Sequence, residues 1–139
     1  LKGGVFNMGY LIMVVVIGAI IGVVFVVAKK DSKERDEMVS KLTEEQKNLL
    51  MLTEVKFVEK NAWIQDAIVG KINDKGNKID IRLLWYDKVI QNNEYNTITI
   101  ADTSITKAEQ EAHNLKIGDT VKMYFAPEKT IGRVKIIFD

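Results

Sequence analysis

From Tyr10 to Ala28 the chain reads YLIMVVVIGAIIGVVFVVA, with no charged side chain and no proline. About 19 such residues, rising about 1.5 Å each in a helix, come close to the ~30 Å depth of a bilayer's hydrocarbon core. The run therefore predicts a transmembrane helix. Asp31 to Lys60 is charged, lacks Gly and Pro, and predicts further helix. Within it, Thr43-Glu44-Glu45-Gln46 has the pattern of a capping box, so a helix restarts there. Met38, Leu42, Leu49 and Leu52 fall near heptad positions, but Glu45 interrupts them and the pattern spans barely two heptads. That favours a helix packed on the following domain over a free-standing coiled coil.

The texture changes again past Lys60. Ala62 to Asn73 has helical spacing at Ile64, Ile68 and Ile72, but its β-branched content, Gly70 and the turn residues Asn73 to Asn77 favour a strand entering a hairpin. Ile79, Ile81, Leu83 and Trp85 then alternate with Asp80, Arg82, Leu84 and Tyr86, the period of a strand with one buried face. A polar loop, Asp87 to Asn96, leads to a third strand over 97–101. Ser104 to Leu115 predicts a helix with Ile105, Ala108, Ala112 and Leu115 on one face, capped by Thr106 with Glu109 and ended by Asn114. Gly118-Asp119 turns into a strand with Val121, Met123 and Phe125 inward. Pro127 breaks it, and Val134, Ile136 and Phe138 form the inward side of a fifth strand.

The expected fold is a single N-terminal transmembrane helix, a helical linker and a small β-rich (α+β) domain of five strands, with a helix between strands three and four. That order resembles the OB-fold, a five-stranded Greek-key barrel. The runs from Leu115 to Tyr124 and from Ile131 to Ile137 resemble the last strands of such small barrels. A membrane helix followed by a barrel is also similar in layout to the short NfeD-like proteins that accompany stomatin-type membrane scaffolds, from which the inserted helix departs. The boundaries are 1–9 for a short N-terminus, 10–28 for the transmembrane helix, 29–60 for the charged helical linker and 61–139 for the OB-like β-barrel domain. Lys2-Gly3-Gly4 reads as a translated bacterial ribosome-binding site with Met8 at start-codon spacing, so residues 1–7 are either chain or untranslated leader.

Lys29, Lys30, Lys33 and Arg35 crowd the C-terminal flank of the apolar run, which orients the chain as a single-pass protein of the cell membrane with its C-terminal domain in the cytoplasm. A secretory signal ending at Val26-Val27-Ala28 competes with this. The apolar run is longer than a usual signal core, and its leading flank has little positive charge. Gly18 and Gly22 make a G-x-x-x-G spacing that lets two membrane helices approach closely. Membrane lipid is thus one expected partner, and a protein partner or a second copy of the chain another.

Charge and composition narrow the chemistry. The formal net charge is +1, and Lys2 supplies it, leaving the chain from Lys29 onward neutral. A neutral domain lacks the cationic excess that phosphate-backbone binding draws on, so nucleic acid is not an expected partner. There is no cysteine, hence no disulfide, thiol nucleophile or Cys-based metal site. The one histidine, His113, is expected on the solvent side of its helix, without a nucleophile beside it. Asp66, Asp80, Asp87, Glu94, Asp102 and Asp119 show no metal-ligand spacing, and no phosphate-cradling glycine loop occurs. No catalytic residue, metal or cofactor is expected.

The function expected is a non-enzymatic, membrane-anchored adaptor presenting a small barrel to protein partners. The alternatives are an OB-like module for single-stranded nucleic acid or saccharide and an outward-facing envelope or secretion component. Trp63, Trp85, Tyr86 and Tyr95 gather on or beside the first three strands, where an OB barrel stacks bases or sugars. Trp85 shares the inward parity and is expected in the core. Tyr86 has the opposite parity, and with Asn92, Asn93 and Tyr95 forms the expected ligand surface.

Overall fold

The computed structural model describes residues 33–90 and 98–138. The apolar run at 10–28 with Gly18 and Gly22, and the loop residues Asn92, Asn93 and Tyr95, lie outside them. No helix among the described residues is long and apolar enough to cross a membrane. The chain divides after Glu37, and Met38–Asp139 form one compact unit.

That unit is a small α+β domain around a curled, six-stranded antiparallel sheet. Its strands are β1 (Lys56–Glu59), β2 (Ala62–Asp74), β3 (Lys78–Tyr86), β4 (Ile98–Thr106), β5 (Thr120–Phe125) and β6 (Val134–Ile137). They lie in the order β4-β3-β2-β5-β6, with β1 added to β2. Since every neighbouring pair is antiparallel, β4 and β6 at the two ends run parallel. The Thr103 hydroxyl donates to the Val134 carbonyl at 2.7 Å, so the sheet curls until those ends touch.

Alternation decides what the curl encloses. Trp63, Ala67, Val69, Ile79, Ile81, Leu83, Trp85, Met123 and Phe125 meet inside. The ring of Phe125 lies 5.3 Å from Trp63 and 4.8 Å from Trp85, both tilted, the geometry aromatic pairs prefer. Trp85 is in the core, as its parity predicts. Gln65 is buried among these groups because both ends of its amide are used: Oε1 accepts from the Trp63 indole at 2.8 Å, and Nε2 donates to the Tyr86 carbonyl at 2.9 Å.

Gly70 marks a bulge. The register of β2 against β3 slips between Val69 and Lys71, so the inward positions pass from Val69 to Ile72, and Lys71 and Asn73 turn to the outer face.

On that outer face a second apolar cluster joins Met38, Leu50, Ile68, Leu84 and Ile98, with Val39, Leu42, Tyr86 and Ile100 against it. Leu50 comes from α1 (Glu44–Leu52), whose N-terminus carries the predicted capping box: Thr43 Oγ1 accepts from the Gln46 amide at 3.0 Å, and Gln46 Oε1 from the Thr43 amide at 2.9 Å. The linker is thus packed on the domain, through Met38 and Leu42 of the heptad pattern and through Leu50. Leu49 and Leu52 of the heptad pattern are exposed.

Two expectations about helix extent are corrected. The linker does not stay helical to Lys60, because α1 ends at Leu52 and residues 56–59 form β1. The buried Thr53 pins the change: its hydroxyl accepts from the Asp66 amide at 3.1 Å and its carbonyl from Lys88 Nζ at 2.6 Å. Phe57 then lays its ring 5.5 Å from Trp63, contact that the aromatic and β-branched residues of β1 make best in a strand. The later helix likewise starts at Lys107, not Ser104: α2 is Lys107–His113. Ser104 and Ile105 remain in β4, where Ile105 pairs with Ile79 and faces the core. Thr106 serves both elements, since an N-cap keeps extended backbone angles, here φ −78° and ψ 161°. Its capping box with Glu109 and the left-handed Asn114 cap, φ 47°, are as predicted.

Candidate functional site

The outer face of β2, β3 and β4 has a covered end and an open end. Met38 and Leu50 close it over Leu84 and Ile98. Toward the β2–β3 turn it is open, a depression of about 370 Å³ lined by Lys71, Asn73, Lys75, Lys78, Asp80, Ile81, Arg82, Asp102, Thr103 and Ser104.

Each cation is placed by the local backbone. The bulge at Gly70 turns Lys71 outward. The turn that carries Lys75 is closed by Lys75 N donating to the Lys78 carbonyl at 2.9 Å and Gly76 N donating to Asp74 Oδ1 at 2.8 Å. Gly76 sits at φ +93°, where a β-carbon would be strained. Lys78 and Arg82 follow from the period of β3. Arg82 stands opposite Asp102 across the sheet and binds it with both prongs of its guanidinium, at 2.7 and 2.9 Å. Lys78 Nζ is 3.7 Å from Asp80. Four Lys and Arg against two Asp leave the lining cationic. With the Ser104 and Asn73 side chains beside them, these groups offer charge and hydrogen bonds to an anionic group.

Of the acidic residues singled out in the sequence, Asp80 and Asp102 share this lining, each beside a cation, and the others described lie apart from it. Asp66 pairs with Lys122 at 2.6 Å, Asp87 accepts from the Val89 and Ile90 amides, and Asp119 accepts from the Lys116 amide. Glu94 lies outside the described residues. Among those described, no group of His, Asp and Glu could hold a metal ion. His113 is exposed, as expected, and its ring stacks on Phe138 at 4.1 Å between centroids.

Of the aromatic residues grouped near the first three strands, Trp85 is in the core as expected, and Trp63 joins it there. Trp63 and Trp85 are buried, so neither can stack on a ligand without leaving the core. Tyr86 is half-buried against the second cluster. Lys71, Lys75, Lys78 and Arg82 were missed. Their signal was the polar side of β3's alternation together with a glycine inside a strand, which marks a bulge.

No protein-family model matches this chain, and neither the curated proteins nor the solved structures contain a match to it.

Proposed function

We propose that this chain is a non-enzymatic, membrane-anchored interaction subunit, whose span at 10–28 holds an OB-like barrel at the cytoplasmic face of the cell membrane. The strand order β4-β3-β2-β5-β6, the parallel contact of β4 with β6 and a helix between β4 and β5 support the barrel reading. The observation that carries the binding role is the cationic depression on β2–β3–β4, the strands OB barrels use for ligands. Among the described residues its lining has no aromatic side chain to serve as the stacking platform of a single-strand nucleic-acid groove. An acidic protein segment fits it better.

The test is purification of the full chain in mild detergent, beside Lys75→Glu/Lys78→Glu. The wild type retains a stoichiometric protein partner that moderate salt releases, and the doubly reversed variant loses it. Recovery of the same partner with both proteins, or of a lone wild-type monomer, overturns the reading. A reporter fused at Asp139 and active only outside the membrane would overturn the orientation.

A further inference from the structure

The β5–β6 connection ends in an apolar tip. Ile131 is 89 % exposed, the most exposed of the large apolar side chains among the described residues, and Gly132 beside it turns the chain at φ +69°. Lys129, Arg133 and Lys135 flank this tip along the chain. Lys129 donates to the Tyr124 hydroxyl at 2.9 Å and stands 3.8 Å from Glu59. These two contacts, the tyrosine hydrogen bond first, hold its pKa above the usual lysine value, so it stays protonated. Lys135 Nζ lies 5.7 Å from the Tyr124 ring and the Arg133 guanidinium 5.7 Å from the Phe125 ring, so the aromatic rings brace the cationic collar. Glu128 accepts from the Asn61 amide at 2.8 Å and shares a shallow depression with Lys129.

An exposed apolar side chain with cations on either side of it along the chain suits the headgroup layer of an anionic bilayer: the apolar group partitions and the cations meet lipid phosphates. The chain length supports this occupant. Only about nine residues separate the end of the apolar run at Ala28 from the compact unit at Met38, roughly 14 Å if helical and about 30 Å if extended. That is short enough to keep the domain within reach of lipid.

We propose that the Ile131 tip and its Lys129, Arg133 and Lys135 collar dock on an anionic lipid surface, giving the domain a second membrane contact. This rests on the membrane-anchor reading.

The chain has no cysteine, so one environment-sensitive fluorophore can be placed by Ile131→Cys, and a control by Asn77→Cys at the exposed β2–β3 turn. Both proteins are reconstituted into phosphatidylcholine vesicles with and without phosphatidylglycerol. The label at position 131 shifts to the blue and is quenched by lipid-borne spin label when phosphatidylglycerol is present, and the label at position 77 does neither. If the label at 131 stays as aqueous as that at 77, the docking is refuted while the anchor stands. If it shifts to the blue but escapes the lipid quencher, a protein contact covers the tip and the lipid assignment is wrong. A chain that alkaline carbonate strips from the vesicles has no anchor, and the tether argument falls with it.

Discussion

Gly70→Ala measures whether the residues before Thr43 are part of the fold. A β-carbon at position 70 would stand 2.9 Å from Met38 Sδ, 3.3 Å from Leu84 Cγ and 3.4 Å from Leu84 Cδ1. The backbone there is not left-handed, so alanine itself is not strained, and losing a glycine from a strand interior recovers about 0.5–1 kcal/mol. Crowding works against that, at about 1–3 kcal/mol for an added methyl in a packed site. The net expectation is a loss of about 1 kcal/mol. Met38→Ala alone removes a side chain only 9 % exposed and costs about 2 kcal/mol, the lower end for a buried methionine. In the double variant the sulfur is gone, and the alanine at 70 meets only Leu84. The two costs should then fall short of their sum by about 0.5–1 kcal/mol, beyond the ~0.3–0.5 kcal/mol scatter of independent sites. Urea unfolding of the full chain in mild detergent reads this through the buried Trp63 and Trp85. Strict additivity would mean that Met38 does not lie on Gly70, and the covered end of the sheet face would have to be redrawn.

The same assay separates neighbouring leucines: Leu50→Ala, fully buried, should cost about 2–5 kcal/mol, and Leu52→Ala, 80 % exposed, less than ~0.5 kcal/mol. Equal costs would remove α1 from the core. The tryptophans should differ as well. Trp63→Phe strands the buried Gln65 Oε1, whereas Trp85→Phe deletes the one buried side-chain polar atom among the described residues with no hydrogen-bond partner. Trp85→Phe is expected to be the milder by about 1–2 kcal/mol, and the reverse order would contradict the bonding described for Gln65.

What the sequence revealed and what it hid follow from the range of the interactions involved. Period-two alternation placed the interior of β3, β5 and β6, because a residue's face in a strand depends only on its position along that strand. Both capping boxes were legible for a similar reason, since they close within three residues. The choice between helix and strand at Ser104–Thr106 was not local: Ile105 fits an apolar helical face, and only its pairing with Ile79 across the sheet holds it in β4. The same applies to 56–59, whose strand depends on Ile64 and Trp63 as partners. The cationic depression was hidden by the bulge, because a one-residue slip at Gly70 moves Lys71 and Asn73 to the face that strict alternation gives to Ile72.

Antiparallel pairing puts the two proposed contact sites at opposite ends of the domain. The turn with Lys75 and Lys78 follows Asp74, at the C-terminal end of β2. The Ile131 tip follows Phe125, which pairs with Trp63 near the N-terminal end of the same strand. About ten residues of β2 lie between, roughly 30 Å at 3.3 Å per residue, less whatever the bulge and curl take up. A domain resting on lipid through Ile131 therefore holds its cationic depression away from the bilayer, where an acidic segment of another protein can reach it. Because Met38 and Leu50 cover the end of the outer face at Leu84 and Ile98, the proposed partner would enter from the turn and not from the Tyr86 side. Reversing the charge of Lys75 and Lys78 should then release the partner without moving a fluorophore at position 131 out of the lipid. Coupled loss of both signals would mean that the two ends do not act as separate sites.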